Sequence, residues 1–198
     1  MRNKLLSVSL PAVFLLSSCG TKLPADAPPV TGSESRILVD AWEKQANAGL
    51  TAVQSPARIP IPIVIFKNPG AGFSEPEWEV SPAGAYSMYQ AQNRGTSRTA
   101  LSILASPGNG PALKEAPSVF SMPSPGTSGE EPREWKTVYV PALKKNIRYY
   151  LINLAAGDTH DQWATEIFTV GSASYRASVE LTDSSQVSTL FARLAVKK

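Results

Sequence analysis

The chain has 198 residues, with 19 Lys and Arg against 16 Asp and Glu, one histidine and one cysteine. A formal charge of +3 is too small to argue for a nucleic-acid or anionic-membrane partner. One cysteine excludes an internal disulfide, and one histidine cannot supply the several Cys or His ligands of a zinc site. The length suits one domain with a proper core and is short for two.

Arg2 and Lys4 precede an apolar run from Leu5 to Leu16 that contains Pro11. Basic residues followed by a short apolar run are the pattern of a secretory signal peptide. The run falls short of the roughly 20 apolar residues that a membrane-spanning helix needs. Leu16-Ser17-Ser18-Cys19 closes it: an aliphatic residue, two small ones and the only cysteine. In these residues the chain resembles bacterial lipoproteins. The resemblance implies that the Cys19 thiol receives diacylglycerol, that the chain is cut just before it, and that the new amine takes a further palmitate-type acyl chain. Each buried CH₂ contributes roughly 0.8 kcal/mol of membrane affinity, and stable anchoring takes more than one chain, which a triacylated cysteine provides. Gly20, rather than Asp, follows the cysteine. For a Gram-negative source the resemblance then implies an outer-membrane lipoprotein facing the periplasm, and otherwise a cell-membrane anchor. Loss of Arg2 and Lys4 with the signal lowers the charge from +3 to +1.

Residues 1–18 are thus expected to be the signal peptide, and 19–34 the lipidated cysteine with a Pro-rich tether. Residues 35–198 form a single globular domain. The tether carries Pro24, Pro28, Pro29 and Gly32 and little apolar surface, too little to offset its ordering entropy. As polyproline II the fourteen residues 21–34 reach roughly 40 Å. A helix follows in 34–50, with Ile37, Leu38, Ala41, Trp42, Gln45 and Ala48 on one face and Gly49 as its stop. In 58–67 the period becomes two: Ile59, Ile61, Ile63 and Ile65 alternate with Pro60, Pro62, Val64 and Phe66. Proline cannot donate to a ladder, so this reads as an edge strand or an unpaired extended segment. Glu75, Glu77 and Glu79 then alternate with Pro76, Trp78 and Val80, a solvated face rather than a metal site. Residues 85–90 and 97–105 are further strands. The segment 106–133 is a Pro/Gly-rich loop whose middle holds the apolar residues Val119, Phe120 and Met122.

The last third gives four strand-like runs, at 134–140, 146–154, 163–170 and 174–181, with breaks short enough to demand antiparallel neighbours. In the last of them Tyr175, Ala177, Val179 and Leu181 point inward, and Ser174, Arg176, Ser178 and Glu180 outward. A C-terminal helix follows the N-cap Asp183, with Val187, Leu190, Phe191 and Leu194 as its apolar stripe. The fold class is α+β: an antiparallel β-meander or sandwich with an N-terminal and a C-terminal helix.

Catalytic signatures are absent from the sequence. No Gly-x-Ser-x-Gly elbow, Ser-x-x-Lys pair or phosphate-cradling Gly-x-x-x-x-Gly-Lys occurs. His160, flanked by Asp158 and Asp161, reads as a surface turn residue. The basic and aromatic run 143–154 reads as a core strand rather than a nucleic-acid surface. No enzyme activity, cofactor, metal or nucleic-acid partner is therefore expected. The expected role is non-catalytic protein–protein binding by a lipid-anchored envelope protein, an accessory or structural component of a secretion, conjugation or pilus-type machine. An immunity or inhibitor lipoprotein facing an incoming toxin or phage component is the first alternative, and a carrier of an apolar ligand the second. The partner, another envelope protein or an invading one, is expected at the edge carrying Ile61, Ile63 and Ile65 and at Val119, Phe120 and Met122 in the loop.

Overall fold

The computed structural model describes residues 32–56, 59–95, 97–111, 135–154 and 160–197. Cys19 and the apolar loop residues Val119, Phe120 and Met122 lie outside them. The chain runs from α1 (Gly32–Ala46) into β1 (Thr51–Val53), β2 (Val64–Phe66), β3 (Glu77–Val80), β4 (Tyr86–Arg94) and β5 (Ser97–Pro107). It continues through β6 (Lys136–Val140), β7 (Lys145–Leu154), β8 (Asp161–Thr165), β9 (Phe168–Val170) and β10 (Ala173–Leu181). A 3-10 turn (Ser184–Gln186), α2 (Val187–Phe191) and β11 (Leu194–Val196) end it. The protein is mostly antiparallel β-sheet with two helices.

Nine strands make one sheet in the order β1-β3-β4-β5-β10-β8-β7-β6, with β9 also on β10. It is two meanders, not one: β3-β4-β5 and β6-β7-β8 meet because β10 pairs along its full length with β5, from Ala173 opposite Pro107 to Leu181 opposite Thr99. The expected single run 163–170 is broken into β8 and β9, which share one edge of β10. Between them Glu166 turns out to bond Arg148, its backbone N–H reaching the Arg148 carbonyl at 2.8 Å and its carboxylate the guanidinium at 2.6 Å.

One face of this sheet carries the core. Tyr86, Ala105, Tyr175 and Phe168 form one row across β4, β5, β10 and β9, and Met88, Ile103 and Ala177 the next. Against it pack Val64, Phe66, Val187, Leu190, Phe191 and Leu194 from β2, α2 and β11. Phe191 stands 5.2 Å from Tyr149 and 6.5 Å from Phe66, ring centre to ring centre. Asp183 caps the 3-10 turn as expected, accepting the Ser185 N–H at 3.0 Å, and hydrogen bonds from the Ser185 hydroxyl, the Gln186 amide and that N–H, in this order, hold its carboxyl below the usual range. The expected C-terminal helix is shorter than its stripe. It ends at Phe191, and Leu194 is buried from β11, which pairs antiparallel with β2. A long-range strand pairing overrides the local helical period there.

Part of the other face is covered by α1, which corrects two expectations. The buried stripe of α1 is Val39, Trp42 and Ala46, with Glu43 half-buried beside them, while Ile37, Ala41, Gln45 and Ala48 face solvent. Ser174 and Arg176, expected outward, are buried beneath that stripe. Trp42 donates its indole N–H to the Ser174 hydroxyl at 3.0 Å, and Glu43 pairs with Arg176. Strand alternation separates the two faces of β10 but does not say that only one is covered. The helix begins at Gly32, inside the expected tether, and Gly49 follows it at φ +69, the left-handed residue expected there. Among the described residues no helix is long and apolar enough to cross a membrane.

Candidate functional site

The isoleucine edge behaves differently from its sequence pattern. The expected strand 59–66 contracts to β2, Val64–Phe66, and Ile61 is part of the core. Ile63 and Ile65 are half-buried against that core. The backbone explains the contraction. β11 engages the odd-numbered side of this segment: the Ile63 carbonyl accepts from Lys197 at 2.7 Å and Lys67 donates to the Arg193 carbonyl at 2.8 Å. Pro62 and Val64 turn their backbone groups the other way, where two tyrosines meet them. The Tyr175 hydroxyl donates to the Pro62 carbonyl at 2.6 Å. The Tyr86 hydroxyl accepts the Val64 N–H at 2.6 Å and lies 3.3 Å from the Val64 carbonyl, to which it donates. Both phenols therefore stand in for a neighbouring strand. Burial pushes both hydroxyl pKa values up, that of Tyr86 strongly even though the Val64 N–H opposes the shift. An added strand would find these groups already bonded.

The open edge lies elsewhere. β1 is exposed along its length and pairs only with β3, Thr51 opposite Val80 and Val53 opposite Trp78. Among the described residues no strand pairs with its outer side. Beside it runs a groove of about 520 Å³ with Val53, Pro76, Trp78 and Tyr89 in its lining together with Glu77 and Glu79. Among the described residues no Lys or Arg lines it. Glu77 and Glu79 are solvated, as the sequence suggested, and flank the buried Trp78. β1 escaped sequence reading because three residues carry no period; the β-branched Thr51 and Val53 after the Gly49 stop were its only signal.

The space under α1 is a second candidate. It is a pocket of about 200 Å³ lined by Glu43 of the helix, Asn47 just after it, and Ser87, Ser102, Arg176 and Ser178 from the sheet. Arg176 is fully engaged there, by Glu43, by the Tyr150 hydroxyl and, through Nε, by the Thr165 carbonyl at 3.3 Å. Ile103 and Leu104 complete its lining, which is otherwise polar, and it is smaller than the 300–1,000 Å³ usual for ligand sites.

His160 accepts the Arg98 backbone N–H through Nε2 at 3.3 Å, at the start of β5. That bond ties the residue before β8 to the start of β5. Among the described residues no three His, Cys, Asp or Glu side chains are grouped to hold a metal ion. Comparison with family models, with curated proteins and with solved structures returns no match.

Proposed function

We propose that this chain is a lipid-anchored envelope protein that acts by binding another protein, as an accessory component of an envelope assembly, without a catalytic step. Cys19 and the residues before it support the anchor. The observation that carries the binding reading is the outer side of β1, unpaired among the described residues, beside a groove lined by Val53, Trp78, Tyr89, Glu77 and Glu79. An extended segment can add there as a further strand, main-chain bonds giving affinity and the groove giving selectivity. The carboxylates favour a partner segment that alternates basic and apolar side chains. Val119, Phe120 and Met122 are retained from the sequence as a second contact. The immunity or inhibitor reading uses the same surface with an invading protein as occupant.

Two measurements test this. Cys19→Ser should abolish incorporation of a fatty-acid analogue in the source cells; equal incorporation would overturn the anchor. Peptides alternating lysine and valine should bind the full chain, and a Glu77→Gln/Glu79→Gln variant should bind them roughly tenfold more weakly, with the difference shrinking as salt rises. Equal binding of the variant, or equal binding of a peptide alternating glutamate and valine, would refute the edge.

A further inference from the structure

One pocket is lined by two arginines that no carboxylate among the described residues neutralises. It lies between the 67–73 turn, the ends of β4 and β5, and α2, and has a volume of about 460 Å³. Arg94 and Arg193 line it, with Thr99, Ser185, Gln186 and Thr189. Each guanidinium is held by one nitrogen. Arg193 NH1 donates to the Asn68 and Pro69 carbonyls at 2.8 and 2.6 Å, and Arg94 NH2 donates to the Ala71 carbonyl at 3.0 Å. Among the described residues neither has an ion pair, and the Nε and the second terminal nitrogen of each remain unengaged. The nearby acid, Asp183, is committed to Ser185 and Gln186.

We infer that this pocket binds a phosphate group. Planar guanidinium forks match the spacing of oxygens on phosphate and bind it bidentately. The backbone carbonyls fix both forks before any ligand arrives, which lowers the side-chain entropy lost on binding. The hydroxyls of Thr99, Ser185 and Thr189 add donors that a phosphate, with its several acceptor oxygens, can use together. The volume exceeds that of phosphate alone, so the ligand is a phosphate ester, either a small soluble one or a lipid headgroup. This inference is independent of the β1 edge.

The test titrates the full chain with inorganic phosphate, glycerol 3-phosphate and short-chain phosphatidic acid below its micelle concentration, reading amide shifts of residues 68–73 and 185–190. All three should bind, the esters more tightly than the ion. Tighter binding of phosphatidic acid than of glycerol 3-phosphate identifies a lipid headgroup, and equal binding a soluble ester. Arg94→Gln should weaken binding by roughly tenfold or more with the melting temperature unchanged, because Arg94 makes one exposed contact to the turn. Arg193→Lys, which keeps the charge but loses the fork, should weaken it as well. Shifts that are absent at saturating phosphate, or unchanged affinity in Arg94→Gln, would overturn the site.

Discussion

Replacing Tyr86 with Phe isolates what the phenol contributes to the isoleucine–proline segment. The ring, its tilted contact with Trp78 at 5.8 Å and its edge contact with Tyr175 at 6.4 Å remain. Only the hydroxyl that bridges the Val64 N–H and carbonyl is lost. Val64 is fully buried, so water does not replace it. Each orphaned buried group costs about 1–3 kcal/mol, and the variant is spared the desolvation of its own hydroxyl, which places the net loss at about 2–4 kcal/mol. For a domain of this size that is a fall in Tm of roughly 5–15 °C. Tyr175→Phe orphans only the Pro62 carbonyl, which has no N–H beside it, and should cost about 1 kcal/mol. Urea unfolding of both variants at constant m-value measures the pair. A change below about 0.5 kcal/mol in Tyr86→Phe, or a larger loss in Tyr175→Phe, would refute the account of the tyrosines as a substitute strand.

The same phenols make the fold alkali-sensitive. The unfolded chain releases its tyrosine protons near pH 10, whereas burial keeps Tyr86 and Tyr175 protonated to higher pH. Stability is thus complete below pH 10 and falls above it, by at most about 1.4 kcal/mol per pH unit for a fully buried phenol; urea midpoints between pH 8 and 11.5 should show it, and the slope should shrink in Tyr86→Phe while Tyr149, also raised by burial, and Tyr175 keep the remainder. Glu43→Gln leaves the Arg176 guanidinium buried without its counter-charge. The full penalty for such a break is about 3–5 kcal/mol, and because the Glu43 side chain is 35% exposed we expect about 1–3 kcal/mol, with faster amide exchange in α1; an unchanged midpoint would refute it. Gly84 sits at φ +84, where a Cβ would lie 2.7 Å from Pro60 Cγ, so Gly84→Ala should cost about 2–4 kcal/mol and loosen the 59–62 segment, as read by calorimetry and by amide exchange at Ile61.

Sequence pattern located the strands of the last third because their β-branched and aromatic runs are separated by short polar breaks, and the last of them alternates. It found α1 but turned it by roughly one residue. The stripe rule looks for apolar side chains, whereas the surface under α1 offers Ser174 and Arg176, so that Glu43 takes a half-buried position that Ile37 was expected to share. It found the buried positions of α2 and missed β11, since Leu194 satisfies the i+7 spacing of a helix and the partner that makes it a strand lies about 130 residues earlier in β2. The prolines did mark an edge. What they did not reveal is that Tyr86 and Tyr175 close it, because a hydroxyl meeting a backbone 22 or 113 residues away leaves no local trace. The groove at β1 and the paired arginines are assemblies of the same kind: Arg94 and Arg193 each look like ordinary surface charge until the 67–73 turn places them in one pocket.

The position of α1 also decides how the domain would respond to being pulled. Under the proposed anchoring, all tension between membrane and domain enters at Gly32 and passes along the helix before it reaches the sheet. The helix is fastened across its width by two side-chain clasps, the Trp42 indole on Ser174 and Glu43 on Arg176, one turn of apolar contact on either side. The sheet behind them is tied by long continuous ladders, β10 to β5 above all. A load on the tether would therefore peel α1 at modest force and leave the sheet intact, making the helix a shock absorber. Its release would lengthen the leash by the difference between helical rise and extended chain, about 2 Å per residue.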